Sequence, residues 1–348
     1  MNAALSAEVA AARRSVQAFE LRRGAGLDGL ARVRRPLPEP GPREVRVRIR
    51  AVSLNARDLA IAESGEGAVV AASDGAGEIE AIGRDVTRWR IGDRIATSFY
   101  PRWIDGPPTA TATTGSLGGA VDGVLAEAIV AHEDALFALP HHLDFVEAAT
   151  RPCAALTAWH ALFGTGPRTP GETVLLLGTG GVSTWALTLA RAAGLRTIIT
   201  SSDDAKLERA RALGAHATIN YRTHPDWSAE VRYLTLGQGA DLVVEIGGEH
   251  TLGPSIAATR AGGTIAMVGG ASGGFGARLD PFALIDGAKH LVGVLVGSRG
   301  MAEDLVRFVA LHGLRPSLDR VFAFDDAPAA FAHLASGRHF GKVVIRVA

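Results

Sequence analysis

The stretch Thr173–Gly194, TVLLLGTGGVSTWALTLARAAG, decides how the chain folds. Its first five residues, Thr173 to Leu177, are apolar and β-rich. Gly178, Thr179, Gly180 and Gly181 follow, and a helical pattern starts at Val182. Strand, glycine turn and helix in that order form the context in which a glycine motif marks a dinucleotide site. Gly178 offers a backbone conformation that a Cβ would close. Gly180 leaves room for a pyrophosphate beside the main chain, and the N–H groups that open the helix favour its charge. Ser183 stands where the third glycine of G-x-G-x-x-G packs helix on strand, and is small enough to serve. Such a turn can also join a strand to a helix with no ligand; the segments downstream favour the site.

Leu195 to Thr200 reads as a second strand. A helix follows with Leu207, Ala210 and Leu213 on one face and Gly214 as its stop. Ala217 to Asn220 is a short third strand. ADLVVEIGG (Ala240–Gly248), GGTIAMVGG (Gly262–Gly270) and HLVGVLVGS (His290–Ser298) are three further buried-strand candidates. Strands alternating with helical patterns imply a doubly wound parallel sheet, with ligands at the carboxyl ends of its strands. An NAD site usually carries Asp or Glu at the end of the second strand. Here Thr200, Ser201 and Ser202 stand there, and Asp203 and Asp204 come late enough to read as helix caps. Hydroxyls, Lys206 one turn on, and Tyr221 with Arg222 after the third strand suit a 2′-phosphate. The residues therefore point to NADPH over NADH, although Lys206 also fits a solvated helix position.

At 348 residues the chain is long enough for two domains and a large core. Lys plus Arg and Asp plus Glu each total 36, so no basic surplus points to nucleic acid. The single cysteine, Cys153, excludes an intrachain disulfide and fits a reducing cytoplasm. The opening MNAALSAEVAAARRSVQAFEL has no signal-peptide core and reads as a short extra helix or a frayed tail. No stretch is long and apolar enough to span a membrane.

The N-terminal part has a different texture, with short alternating strands between Pro and Gly turns. In EVRVRIRAVSLN (Glu44–Asn55), Val45, Val47 and Ile49 face inward and the arginines outward; Gly75 to Ala96 reads as strand, turn, strand. This is a small β-barrel pattern. The closing GKVVIRV (Gly341–Val347) is a strand with no partner in the nucleotide sheet, and is expected to return to the first domain.

These pieces in this order (PGPREVRVRIRAVSLNARDL, GAGEIEAIG with IGDRI, PCAALTAWHAL, the glycine turn, GKVVIRV) resemble the medium-chain dehydrogenase/reductase superfamily, the zinc alcohol dehydrogenase and quinone oxidoreductase group. The resemblance runs from about Val16 to the end. It implies an α/β architecture in which a GroES-like β-barrel catalytic domain joins a Rossmann domain with a doubly wound parallel sheet. The active site would lie in the cleft between them. The expected division is 1–154 for the catalytic domain, 155–297 for the NADP-binding domain and 298–348 for a return to the catalytic domain. A homodimer or tetramer, paired near His290–Ser298, is implied too.

Matching the family's motifs places Asn55 at the first ligand of the catalytic zinc, Ser73 at its histidine, Asp74 at the adjacent glutamate and Cys153 at the last ligand. Zinc wants three protein ligands drawn from Cys, His and carboxylate. The resemblance therefore implies a member without zinc, with Cys153 a packing residue. Hydride would pass from the nicotinamide to a carbonyl, a quinone or the β-carbon of an activated alkene. Asn55 and Thr157 match positions lining nicotinamide and substrate, although Thr157 could also bond its own helix. Ile246, Val268, Gly269, Val294 and Val296 match positions around the cofactor, and also suit ordinary strand core. The N-Y-x-D of many zinc-free members is Asn55-Ala56-Arg57-Asp58 here, so its tyrosine is missing. Tyr100 and Trp103 are expected to line the pocket, Arg57 to orient an anionic or carbonyl group or pair with Asp58 or Asp74, and His160 to be packed. Water is a further proton source. Three readings stay open: a quinone or enone reductase, an alcohol dehydrogenase or carbonyl reductase, and an NADPH-binding sensor or structural protein without turnover.

Overall fold

A computed structural model describes residues 14–272 and 274–347. The nucleotide sheet grows from the opening stretch. β9 (Thr173–Leu176) is wholly buried, because Val174, Leu175 and Leu176 are covered on both faces by helices. Its parallel neighbours are β10 (Arg196–Ser201) and β12 (Ala240–Glu245). With β11 (Ala217–Asn220), β13 (Thr259–Met267) and β14 (His290–Gly293), they form six parallel strands in the order β11-β10-β9-β12-β13-β14. The strand order reverses at β9, so the carboxyl end of β9 is the switch point where such sheets bind ligands. Helices Gly181–Ala192 and Asp204–Ala212 return the chain between strands. The latter buries Leu207 and Ala210 and stops at Gly214, whose φ of +96° only glycine takes freely.

The domain formed by the N-terminal part is mostly antiparallel. β3 (Glu44–Ser53) pairs with β5 (Asp74–Ile82) and β7 (Ala128–His132), and β5 with β6 (Arg94–Thr97). β8 (Leu136–Ala138) closes that edge. At the other edge the chain returns: β16 (Lys342–Arg346) pairs antiparallel with β3 and parallel with β15 (Leu318–Ala323). The C-terminal strand thus belongs to the first domain, as its lack of a partner elsewhere implied. β1 (Ser15–Arg22), β2 (Leu30–Pro36) and β4 (Ala68–Val70) make a small side sheet.

Some details depart from the sequence reading. The segment expected as helix or tail is a strand from Ser15; residues 1–13 lie outside the described set. The last three nucleotide strands leave the ladder at Glu245, Met267 and Gly293, before their glycine or valine ends, which become loops facing the cleft. Val45, Val47 and Ile49 are fully buried, but not every arginine between them faces water. Arg46 is buried, with Nε donating to Glu80 (2.7 Å) and Nη1 to Glu39 (3.0 Å). A covered strand face admits a charge only when it is paired.

Candidate functional site

The glycine turn has the geometry its sequence demanded. Gly178 has φ +67°, and its N–H donates to Thr200 Oγ1 (3.2 Å) at the end of β10. Ser183 is fully buried with Oγ on the Leu177 carbonyl (2.6 Å), so it fills the packing position of the third glycine. Thr179 and Val182 flank the turn, Thr179 buried and Val182 partly so. Above Gly180 there is space: a Cβ built there would find His339 Nε2, at 4.0 Å, as its nearest neighbour among the described residues. That cradle, with the first N–H groups of helix Gly181–Ala192, fits a pyrophosphate.

Gly181 is glycine for a different reason. A Cβ there would come within 2.5 Å of Lys342 Cδ and 3.3 Å of Ala154 Cβ. The return segment crosses the turn at this point; Gly341 N donates to the Thr179 carbonyl (2.9 Å). Lys342 then reaches under the turn into the catalytic wall. Its Nζ donates to the Leu54 carbonyl (2.6 Å) and to Asn55 Oδ1 (2.5 Å), with the side chain nearly all buried. Burial lowers its pKa, while Asp74, Cys153 and Asp58 act to keep it charged. Sequence reasoning missed Lys342; the signal was a lysine opening an otherwise apolar strand.

Around that ammonium stand the residues that match the zinc positions. Asn55 precedes helix Ala56–Glu63, and its N–H donates to Asp58 Oδ2 (2.8 Å). Asp74 opens β5; it accepts from Ser73 Oγ (2.6 Å) and Cys153 N (3.1 Å). Burial raises the pKa of both carboxyls, Asp58 to about 6, with Arg57 opposing it at Asp58 and Lys342 at Asp74. Burial, then the Asp74 charge, push the Cys153 thiol up to about 12. This donor set does not fit zinc: a carboxamide and a hydroxyl stand at two of the ligand positions, and the Asn55 oxygen is taken by an ammonium. Among the described residues no group of three or more His, Cys, Asp or Glu side chains is placed to hold a metal ion.

Thr157 lies one turn beyond Cys153 in the same helical segment and is buried. Its hydroxyl has no protein partner among the described residues, unlike those of Thr184 and Thr188, which bond carbonyls one turn back. Ile246, Val268 and Val296 are half-buried and Val294 is buried, all within or against the same hydrophobic core as Leu156, the residue before Thr157. A Cβ on Gly269 would sit 3.3 Å from the Ile246 carbonyl, so this wall is tight main chain.

Other candidates shift role. Arg57 makes no ion pair with Asp58 or Asp74: Nη1 donates to the Leu117 carbonyl (2.9 Å), Nη2 to Ser116 Oγ (3.1 Å), and the guanidinium covers the Phe99 ring. It fastens a loop rather than standing free to orient substrate. Trp103 is 1% exposed, bonded through Nε1 to the Gly106 carbonyl (3.0 Å), and is a core residue rather than a pocket wall. His160 is packed as expected, edge-on to Trp103 with Nδ1 2.7 Å from the Leu295 carbonyl. Tyr100 stays half-exposed, packed on Phe99; burial raises its pKa, so the phenol keeps its proton.

At the adenosine end Ser201 is buried, Ser202 half-buried and Tyr221 exposed. Asp203 caps its own helix, accepting from Ala205 N (2.8 Å) and Lys206 N (3.3 Å). Lys206 Nζ donates to the Gly337 carbonyl (2.7 Å), so it is neither free nor simply solvated. A separate cavity of about 520 Å³ lies in the catalytic domain, between β1 and β7. None of Asn55, Arg57, Tyr100 or Thr157 lines it, so it is not part of this cleft.

Residues 41–141 match the family model of the alcohol dehydrogenase GroES-like domain, and residues 181–310 that of the zinc-binding dehydrogenase. A zinc-type alcohol dehydrogenase-like protein of Schizosaccharomyces pombe is 42% identical over 88% of this chain and 91% of its own length. A quinone oxidoreductase of Pseudomonas aeruginosa is 32% identical over 88% and 92%. The crystal structure of an NAD-dependent alcohol dehydrogenase, 34% identical, superposes with a TM-score of 0.87 over 95% of this chain and 100% of that one.

Proposed function

Because the chain belongs to the medium-chain dehydrogenase/reductase superfamily of oxidoreductases, we propose that it is a zinc-independent, NADPH-dependent member that delivers hydride to a quinone, an enone or enoyl group, or a related activated carbonyl. The observation that carries the reading is the wall facing the open glycine turn, where the Lys342 ammonium holds the Asn55 carboxamide amid a donor set unsuited to a metal. Bound NADPH supplies the hydride. The turn from Gly178 to Ser183 seats its pyrophosphate, and the Thr157 hydroxyl is free for the nicotinamide ribose or carboxamide. Ile246, Val268, Gly269, Val294 and Val296 exclude water from the ring's side of the cleft. Tyr100, which holds its proton, is the protein group available to protonate the reduced acceptor, with water as the other source.

For the adenosine end, the support for NADPH is that β10 ends in hydroxyls and that the first carboxylate after it is spent on a helix cap. Following NADPH and NADH absorbance with a quinone, an enone and an aldehyde panel tests the reading. Turnover of quinone or enone with NADPH preferred supports it. Turnover of the aldehyde alone moves the protein to the carbonyl reductases. Tight binding with no oxidation by any acceptor makes it a binding protein, and a strong NADH preference sinks the 2′-phosphate assignment. One tightly bound zinc per chain would overturn zinc independence.

We also propose a homodimer, or a tetramer built from it, joined through the nucleotide sheet. β14 is the edge strand of that sheet, and Phe275, Phe282 and Ile285 shortly before it in the chain and Leu295 shortly after it are exposed. The lone cysteine supports a reducing compartment, for which we propose the cytoplasm. No described helix is long and apolar enough to cross a membrane.

A further inference from the structure

The segment Ser336–Phe340 precedes the closing GKVVIRV strand and is locked against the glycine turn. Phe340 N donates to Asp319 Oδ1 (3.0 Å), His333 Nε2 bonds Asp319 Oδ2 (2.7 Å), and the Arg209 guanidinium covers the Phe340 ring. Lys206 holds Gly337 and the Thr179 carbonyl holds Gly341. Between these clamps stands His339. Its Nδ1 is buried with no partner among the described residues, while Nε2 stands 4.0 Å from where a Cβ on Gly180 would lie. A buried N–H without an acceptor is costly, so the neutral ring carries its hydrogen on Nε2. The donor therefore stands beside the cradle.

We propose that His339 is a cofactor-binding residue whose Nε2–H donates to a pyrophosphate oxygen of the dinucleotide seated on Gly178–Ser183. This rests on the dinucleotide reading above and adds a contact from the catalytic domain's side of the cleft. The groups that face the ring are Lys206 from its helix, Asp319 from β15, His333 from helix Ala327–Ala335 and Lys342 from β16. Three of these neighbours are basic or can become so, and burial adds to them, so the ring stays neutral and serves as a donor without a charge of its own. The field they make also favours an anion at the turn.

The test is direct binding, read by fluorescence titration of purified full-length protein with NADPH and, separately, NADH. His339→Leu should raise Kd for both cofactors by about tenfold, the usual loss for a hydrogen bond to a charged oxygen. His339→Gln, which keeps an N–H donor near the Nε2 position, should recover most of that loss, as a merely structural role would not. An unchanged Kd in His339→Leu overturns the proposal. So does a loss confined to NADPH, which would move the contact to the 2′-phosphate. If the wild-type chain binds neither cofactor, the functional reading itself falls and this contact with it; wild-type binding with an unaffected variant removes His339 alone.

Discussion

Lys342 is the residue on which the site's electrostatics turn. It is a buried cation that feels the charges of two buried carboxyls, Asp74 and Asp58, and it holds the Asn55 oxygen. Lys342→Met keeps the volume and removes the charge. It should cost about 3–5 kcal/mol in urea unfolding, the usual loss when one partner of a buried charge cluster is deleted. A loss below about 1 kcal/mol would mean that the carboxyls are neutral without it. His339 is the second such residue. Burial, helped by Lys206, lowers its pKa from 6.5 to about 4. Between those values the unfolded chain binds the proton more tightly, so stability rises with pH through that window and is lost as pH falls through it. Allowing for partial exposure, wild type should lose about 2 kcal/mol between pH 7 and pH 4 through this group. His339→Gln should flatten that part of the profile. Cys153, with its thiol at about 12, should resist iodoacetamide at pH 8 in the folded protein and react on unfolding.

Among elements, the glycine turn separates binding from stability. Gly180 has φ −77° and ψ −172°, an extended conformation open to any residue, and space where a Cβ would go. Gly180→Ala should therefore leave the melting temperature within about 2 °C and raise the NADPH Kd more than about tenfold, because the methyl occupies the phosphate cradle. A variant that binds normally would place the phosphate elsewhere. Gly181→Ala should do the opposite and destabilise, since its Cβ meets Lys342. Sequence spacing made this turn legible: a buried strand, glycines and a helix are local, and each residue's part follows from its own φ or size. The strand ends were less legible. β12 and β13 stop before their terminal glycines, and β14 stops at Gly293, because pairing partners, not composition, decide where a ladder ends. Arg46 shows the same limit, since alternation marks a face but not that Glu80 of β5 and Glu39 of the loop before β3 pair with a charge there.

Across the whole molecule, the two domains meet through chain segments far apart in sequence. Arg299 opens the helix after the nucleotide sheet; its N–H bonds the Trp103 carbonyl (2.9 Å) and its guanidinium bonds Asp134 Oδ1 (2.8 Å). At the other side of the cleft β16 passes under the glycine turn. In the proposed assembly a second copy would cover the region around β14, where Phe282 and Ile285 of the short helix preceding that strand are 65% and 71% exposed. Sedimentation equilibrium should give a dimer or tetramer for wild type, and a Phe282→Asp, Ile285→Asp double variant should dissociate with its circular dichroism intact. A monomeric wild type would refute the assembly.

The order of strands, the glycine turn and the alternating N-terminal barrel could be read from the chain because each depends on periodicity or on one residue's backbone freedom. Those features named the superfamily, the cofactor class and even the return of the last strand. The catalytic wall could not be read in the same way. Lys342 meets Asn55 across 287 positions, Asp74 meets Cys153 across 79, and Arg57 turned out to be bound to a loop carbonyl rather than free. Long-range contacts of single polar atoms leave no period in the sequence. They exist only once β16 has returned to β3 in the first domain, and it is the crossing of that return segment over the turn which puts an ammonium, and His339, beside the glycines with which the chain announced itself.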